Sequence, residues 1–149
     1  MQLLALGFGS GLVPKAPGTF GTLAAIPLFF LMLYLPAWDY LLTTLVCAVL
    51  GIYICQVSAT QLGVHDHPAI VWDEFVGLWI SLIPLVFIGF TWIGLVVGFI
   101  LFRFFDIVKP WPISYIDKNI GGGLGIMLDD VAAGAAAGIC LWFFLLLIS

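Results

Sequence analysis

Apolar residues run in five stretches, each bounded by glycine, proline or a short polar connection. They cover about Thr22 to Leu35, Tyr40 to Leu62, Pro68 to Ile88, Trp92 to Val108 and Leu124 to Ile148. Runs of roughly 20 apolar residues are long enough to cross a bilayer as helices, and none alternates with the two-residue period of a half-buried strand. The pattern predicts an all-α, polytopic membrane bundle of about five helices, with residues 1–149 as one domain. The first stretch is short enough to be tilted or re-entrant. Pro68 suits the first turn of the third helix, whereas Pro84 predicts a kink or an early end within it. The Gly/Ala-rich part of the fifth, Val131 to Gly138, suits close helix packing in lipid.

Composition strengthens this picture. The chain is 64% hydrophobic and 8% charged, while soluble domains carry about 25% charged residues. Four basic residues cannot make a surface that tracks nucleic-acid phosphates. Cys47, Cys55 and Cys140 lie inside apolar runs, which reads as buried thiols and not as a disulfide framework or metal site. Met1 to Leu12 lacks the basic region of a signal peptide, so it reads as mature sequence.

Charge placement adds an orientation. If five helices cross in turn, the connections Met1–Gly21, Gly63–His67 and Lys109–Gly123 share one side. That side, with the helix ends beside it, receives Lys15, Arg103, Lys109 and Lys118, all four basic residues. The positive-inside rule makes it the cytoplasmic side. His65, Asp66, His67, Asp73, Glu74, Asp106, Asp117, Asp129 and Asp130 fall there too, leaving Asp39 alone opposite.

Asp73 and Glu74 lie five and six residues past Pro68, or roughly 8–9 Å along a helix. Arg103 and Asp106 end the fourth stretch, and Asp129 and Asp130 lie one to two turns into the fifth. Three helices thus bring carboxylates to similar depth below the cytoplasmic interface. Two carboxylates about 4 Å apart repel by roughly 4 kcal/mol at an effective dielectric near 20. Either several are protonated or a multivalent cation sits among them; an all-oxygen set suits Mg²⁺ or a similar hard cation. Helix-packing ion pairs, such as Arg103 with Asp106, are the plainer alternative, but eight acids face only four bases.

Three further segments carry candidate chemistry. The glycine-rich run from Gly7 to Thr22 contains Lys15 and the hydroxyls of Ser10 and Thr19 ahead of a helix, a setting that can offer backbone N–H groups to phosphate. It lacks Walker A spacing. His65-Asp66-His67-Pro68 could cap a helix through Asp66 or His67, or stand at the rim of the site with Asp66 as ligand or base. In the loop from Lys109 to Gly125, Trp111 suits a headgroup anchor and the lysines can attract anionic headgroups.

Four motifs, GFGSGLVPKAPGTFGT, HDHPAIVWDEFVG, FRFFDIVKPWPI and GGGLGIMLDDVAAG, together resemble the phosphatidylglycerophosphatase A family of bacteria, in order from Leu6 to Gly138. The resemblance implies a Mg²⁺-dependent phosphatase of the bacterial inner membrane that converts phosphatidylglycerophosphate to phosphatidylglycerol and phosphate. On that basis Asp73, Glu74, Asp129 and Asp130 are the expected metal ligands. Asp106 is a further ligand or the nucleophile, with Arg103 and Asp66 as its catalytic partners. Arg103, Lys109, Lys15, Ser10 and Thr19 are expected to bind the phosphate, with the Gly7–Gly21 loop closing over the headgroup. An ion- or proton-coupled transporter is the main competing class, although the paired repeats of such proteins are not found.

Overall fold

A computed structural model describes residues 17–62, 72–111, 113–120 and 122–148. These form seven helices, and no strand occurs among the described residues. The helices are α1 (Pro17–Met32), α2 (Ala37–Leu62), α3 (Trp72–Ser81), α4 (Ile83–Ile88), α5 (Trp92–Val108), α6 (Ile113–Asn119) and α7 (Gly122–Ile148). The all-α class expected from the sequence is thus what the chain adopts, with α3 and α4 as two halves of the third apolar stretch.

The break between α3 and α4 falls where Pro84 demands it. Proline has no N–H, and its ring collides with the carbonyl four residues back. Leu82 accordingly leaves helical geometry at φ −92°, ψ 2°. Its N–H still donates to Leu78 O at 3.0 Å, and its own carbonyl accepts from Leu85 N at 3.0 Å. Helix α5 begins at the Thr91 cap, whose Oγ1 accepts from Gly94 N at 3.1 Å. It ends at Lys109, a left-handed residue at φ 50°, before Pro110.

Two boundaries differ from the sequence expectation. Helix α1 starts at Pro17, not Thr22, so Pro17–Gly21 belongs to a helix and not to a phosphate loop; Pro17 supplies a pre-set first-turn φ. The Lys109–Gly123 connection is not all loop either, since α6 occupies its middle. Ile113 N–H donates to Pro110 O at 2.8 Å, which opens that turn.

Helix α7 is central and packs against α2, α3, α5 and α6. Its small residues explain the closeness. A Cβ added at Gly134 would collide with the Gly77 carbonyl oxygen and lie 3.1 Å from Gly77 C, so α3 and α7 cross backbone to backbone. Phe75, Leu78, Phe102, Ile126, Met127 and Leu141 fill the buried centre. Polar anchors tie α1 and α2 to α3. Trp79 Nε1 donates to Ala25 O at 3.2 Å and Tyr40 OH to Trp79 O at 2.6 Å. Trp72 Nε1 donates to Cys47 O at 3.3 Å.

The outer surface is apolar. Leu42, Leu45, Val49, Tyr53, Val96, Ile100, Ile139 and Phe143 are exposed. Within α2 and α7, Ala37–Val57 and Leu124–Ile148 are long and apolar enough to cross a membrane. At one end of the bundle Tyr34, Trp38 and Trp92 stand exposed, and Phe30 and Trp92 meet with ring centroids 5.7 Å apart. Among the described residues, Asp39 is the one charged group at that end. Of the cysteines, Cys55 is buried and Cys47 half-buried, but Cys140 is exposed on the apolar exterior, which corrects the expectation for that residue.

Candidate metal and phosphate site

The opposite end gathers nearly all the remaining charge. Asp73 and Glu74 occupy the first turn of α3, where the positive end of the helix dipole favours anions. Arg103 and Asp106 close α5, with Lys109 as its cap. Asp129 and Asp130 lie in α7, seven and eight residues past Gly122, or about 10–12 Å along the helix. Because consecutive helical residues point about 100° apart, Asp129 and Asp130 address different neighbours.

Four carboxyl-bearing residues are almost wholly removed from the surface: Asp73 5% exposed, Asp106 8%, Asp129 3% and Asp130 2%. Carboxylate oxygens of Asp73, Asp129 and Asp130 lie within 4.8 Å of one another, as do those of Glu74, Asp106 and Asp130. Arg103 Nη1 donates to Asp106 Oδ2 and lies 3.7 Å from Glu74 Oε2. Lys109 Nζ donates to Asp129 Oδ2 at 2.9 Å and stands 3.7 Å from Asp106 Oδ1. Asp73 Oδ1, Asp130 Oδ2 and Arg103 Nε are buried without a hydrogen-bond partner.

Burial disfavours the Lys109 ammonium. The hydrogen bond that Lys109 donates to Asp129 and the fields of Asp129, Asp106 and Asp130 outweigh it, holding the Lys109 pKa above the ordinary lysine value. Lys109 therefore stays charged throughout the neutral range. Its left-handed backbone costs a non-glycine residue roughly 1–3 kcal/mol and turns the chain at the foot of the site.

A hard divalent cation fits this donor set. The donors are all oxygen, and two buried carboxylate oxygens lack any proton donor. Among the described residues, five acids also face two bases across α3, α5 and α7. An uncompensated buried charge costs several kcal/mol, so a cation is the natural counterpart of the excess.

Seven of the residues expected from the sequence thus meet: Asp73, Glu74, Arg103, Asp106, Lys109, Asp129 and Asp130. The Arg103–Asp106 pairing of the plainer reading is also present. Ser10, Lys15, His65, Asp66 and His67 lie outside the described residues, as does the depth reckoned from Pro68. Thr19 lies in the first turn of α1, but its side chain is outside the description. One participant had not been singled out. Thr22, fully buried, donates from Oγ1 to Glu74 Oε2 at 3.3 Å. Its signal was its place as the last hydroxyl of the glycine-rich run, at the head of an apolar stretch.

Comparison with known proteins agrees with the motif resemblance. Residues 3–145 match the family model described as Phosphatidylglycerophosphatase A. Phosphatidylglycerophosphatase A of Escherichia coli K12 is 49% identical over 142 residues, covering 95% of this chain and 81% of the relative. The Haemophilus influenzae protein of the same name is 48% identical over 143 residues, 95% of this chain and 86% of its own. A Bacteroides thetaiotaomicron relative, provisionally named a phosphatidylinositol-3-phosphatase, is 41% identical over 140 residues, 89% of this chain and 85% of its own. No solved structure matches the chain.

Proposed function

The chain belongs to the phosphatidylglycerophosphatase A family, and on that premise we propose that it hydrolyses phosphatidylglycerophosphate to phosphatidylglycerol and inorganic phosphate in a Mg²⁺-dependent reaction. The observation that carries this reading is the meeting of five carboxylates and two bases at one end of an apolar bundle. A lipid substrate accounts for the apolar exterior, and a phosphomonoester for acids and bases side by side.

Asp73, Glu74, Asp129 and Asp130 hold the metal in this scheme. When bound, Mg²⁺ supplies Lewis-acid polarisation of the phosphoryl group and charge neutralisation. The chain's own residues do the positioning. Arg103 and Lys109 neutralise phosphate oxygens, and the guanidinium can bind two of them at once through its fork. Arg103 Nε, buried and unpaired, is a donor still available for that task. Lys15, Ser10 and Thr19 add phosphate contacts from the N-terminal segment.

Asp106 is gripped by Arg103 and approached by Lys109. It either attacks phosphorus directly, displacing the glycerol oxygen and giving an acyl-phosphate that water then cleaves, or completes the metal site while water attacks. Asp66 serves as base or further ligand. Rapid quench separates the two routes, because only the first leaves phosphate on the chain.

The protein spans the bacterial inner membrane several times, with this end facing the cytoplasm. Arg103, Lys109 and Lys118 at this end favour that orientation, and Tyr34, Trp38 and Trp92 suit the opposite interface. Acyl chains stay in lipid while the headgroup enters from the side. The test is phosphate release by the purified chain from phosphatidylglycerophosphate, phosphatidic acid and phosphatidylinositol 3-phosphate. The expected result is a clear preference for the first; equal or greater release from either of the others would reject the substrate assignment.

A further inference from the structure

We infer that the site holds two divalent cations and that Asp130 is the ligand they share, an inference that rests on the metal-dependent reading above. Among the described residues the carboxylates form two overlapping groups, Asp73/Asp129/Asp130 and Glu74/Asp106/Asp130, and only Asp130 belongs to both. Asp73 and Glu74 are neighbours on α3, about 100° apart around its axis, so each is directed to a different group. Asp130 has two carboxylate oxygens, so one residue can serve both groups. Asp73 Oδ1 and Asp130 Oδ2, on residues at least nine-tenths buried, have no hydrogen-bond partner.

Charge decides between one ion and two. Among the described residues, five ionised carboxylates against Arg103 and Lys109 leave three negative charges. One divalent ion still leaves a net negative charge, and the site would repel a phosphomonoester carrying about −1.5 to −2. Two ions make the site positive by one, so the same substrate is attracted. Paired ions are a recurring solution for phosphate chemistry, since together they stabilise both attacking and leaving oxygens.

The two positions differ in strength. Arg103 already lies against both Asp106 and Glu74, and Lys109 approaches Asp106. Among the described residues the first group is met by Lys109, through Asp129. The described basic charge thus weighs more on the Glu74/Asp106/Asp130 position, which is expected to fill at the higher concentration.

The experiment is a Mn²⁺ titration of the EDTA-stripped full chain in detergent, read by equilibrium dialysis and electron paramagnetic resonance. Two ions per chain are expected in two steps, with the six-line signal of isolated Mn²⁺ giving way to an exchange-coupled spectrum at saturation. Asp106→Asn should retain the first ion and lose the coupling. Asp130→Asn should weaken both steps by more than about tenfold and abolish the coupling, with folding checked by circular dichroism and gel filtration. Asp106→Asn carries the test alone if Asp130→Asn does not fold. A single uncoupled ion at saturation overturns the two-ion inference while leaving metal dependence standing. Coupling that survives in Asp130→Asn overturns the bridging role. No bound ion at all overturns both the inference and the metal-dependent reading.

Discussion

Gly134→Ala isolates how the fold sets the spacing of the carboxylates. Gly134 and Gly77 make the contact where α7 crosses α3. Each lies one helical turn beyond a site aspartate, Asp130 and Asp73 respectively. The added methyl would lie 3.1 Å from Gly77 C and 3.2 Å from its Cα, against 3.4 Å for ordinary contact, and closer still to the carbonyl oxygen. These are backbone atoms, so the helices themselves must part by at least the 0.3 Å difference. Overpacking of this kind costs about 1–3 kcal/mol. Alanine's better helix propensity offsets about 1 kcal/mol, so the net loss of stability is small. Catalysis is more sensitive, since a displacement of about 1 Å can cost roughly 10²-fold. The expected result is a fall in kcat of about tenfold with a change in Tm of only a few degrees, read by phosphate release and thermal denaturation in detergent. Gly98→Ala is the control. Its methyl would meet Leu82 and Leu141 through side-chain methyls that can rotate away, and Gly98 lies about two turns from Asp106. Wild-type kcat and Mn²⁺ affinity in Gly134→Ala would refute the claim that this crossing sets the site.

Three other outcomes follow from named contacts. Arg103→Lys keeps the charge but loses the fork, so kcat/KM should fall about 10- to 100-fold, corresponding to roughly 1.5–3 kcal/mol for hydrogen bonds to a charged group; an unchanged value would remove Arg103 from phosphate binding. Thr22→Val deletes the hydroxyl that donates to Glu74. At 3.3 Å that bond contributes about 1 kcal/mol, so a several-fold loss of activity is expected, and full activity would show that Thr22 does not position Glu74. Lys118, exposed on α6, tests orientation. In a chain whose native cysteines are replaced, Lys118→Cys should react with an impermeant maleimide in inverted membrane vesicles and not in intact spheroplasts; the reverse pattern would place the site outside.

Much of the bundle was legible because the apolar runs are long and end at strong breakers. Trp92–Val108 is bounded in the structure as in the sequence, and Pro84 announced the break at Leu82. Helix α6 was hidden because seven residues preceded by Pro110 and Pro112 carry too little periodicity to register. The early start of α1 was masked by its glycines, which read as loop until Pro17 is seen to open a helix. Three helices visibly carried carboxylates to one depth, and the Arg103–Asp106 pair follows from their i,i+3 spacing. Which base meets which acid across helices was not legible. The Lys109–Asp129 contact joins residues 20 apart in sequence and depends on a left-handed turn that a lysine seldom adopts. The shared position of Asp130 likewise emerges only when α3 and α7 meet at Gly77 and Gly134.

The central claim is that buried carboxylates hold a metal that this chain needs to release phosphate from lipid. The most direct measurement follows phosphate release from phosphatidylglycerophosphate after exhaustive EDTA treatment, and again after Mg²⁺ is restored. Turnover should be lost on chelation and recover with Mg²⁺. Full turnover in the stripped protein would contradict it.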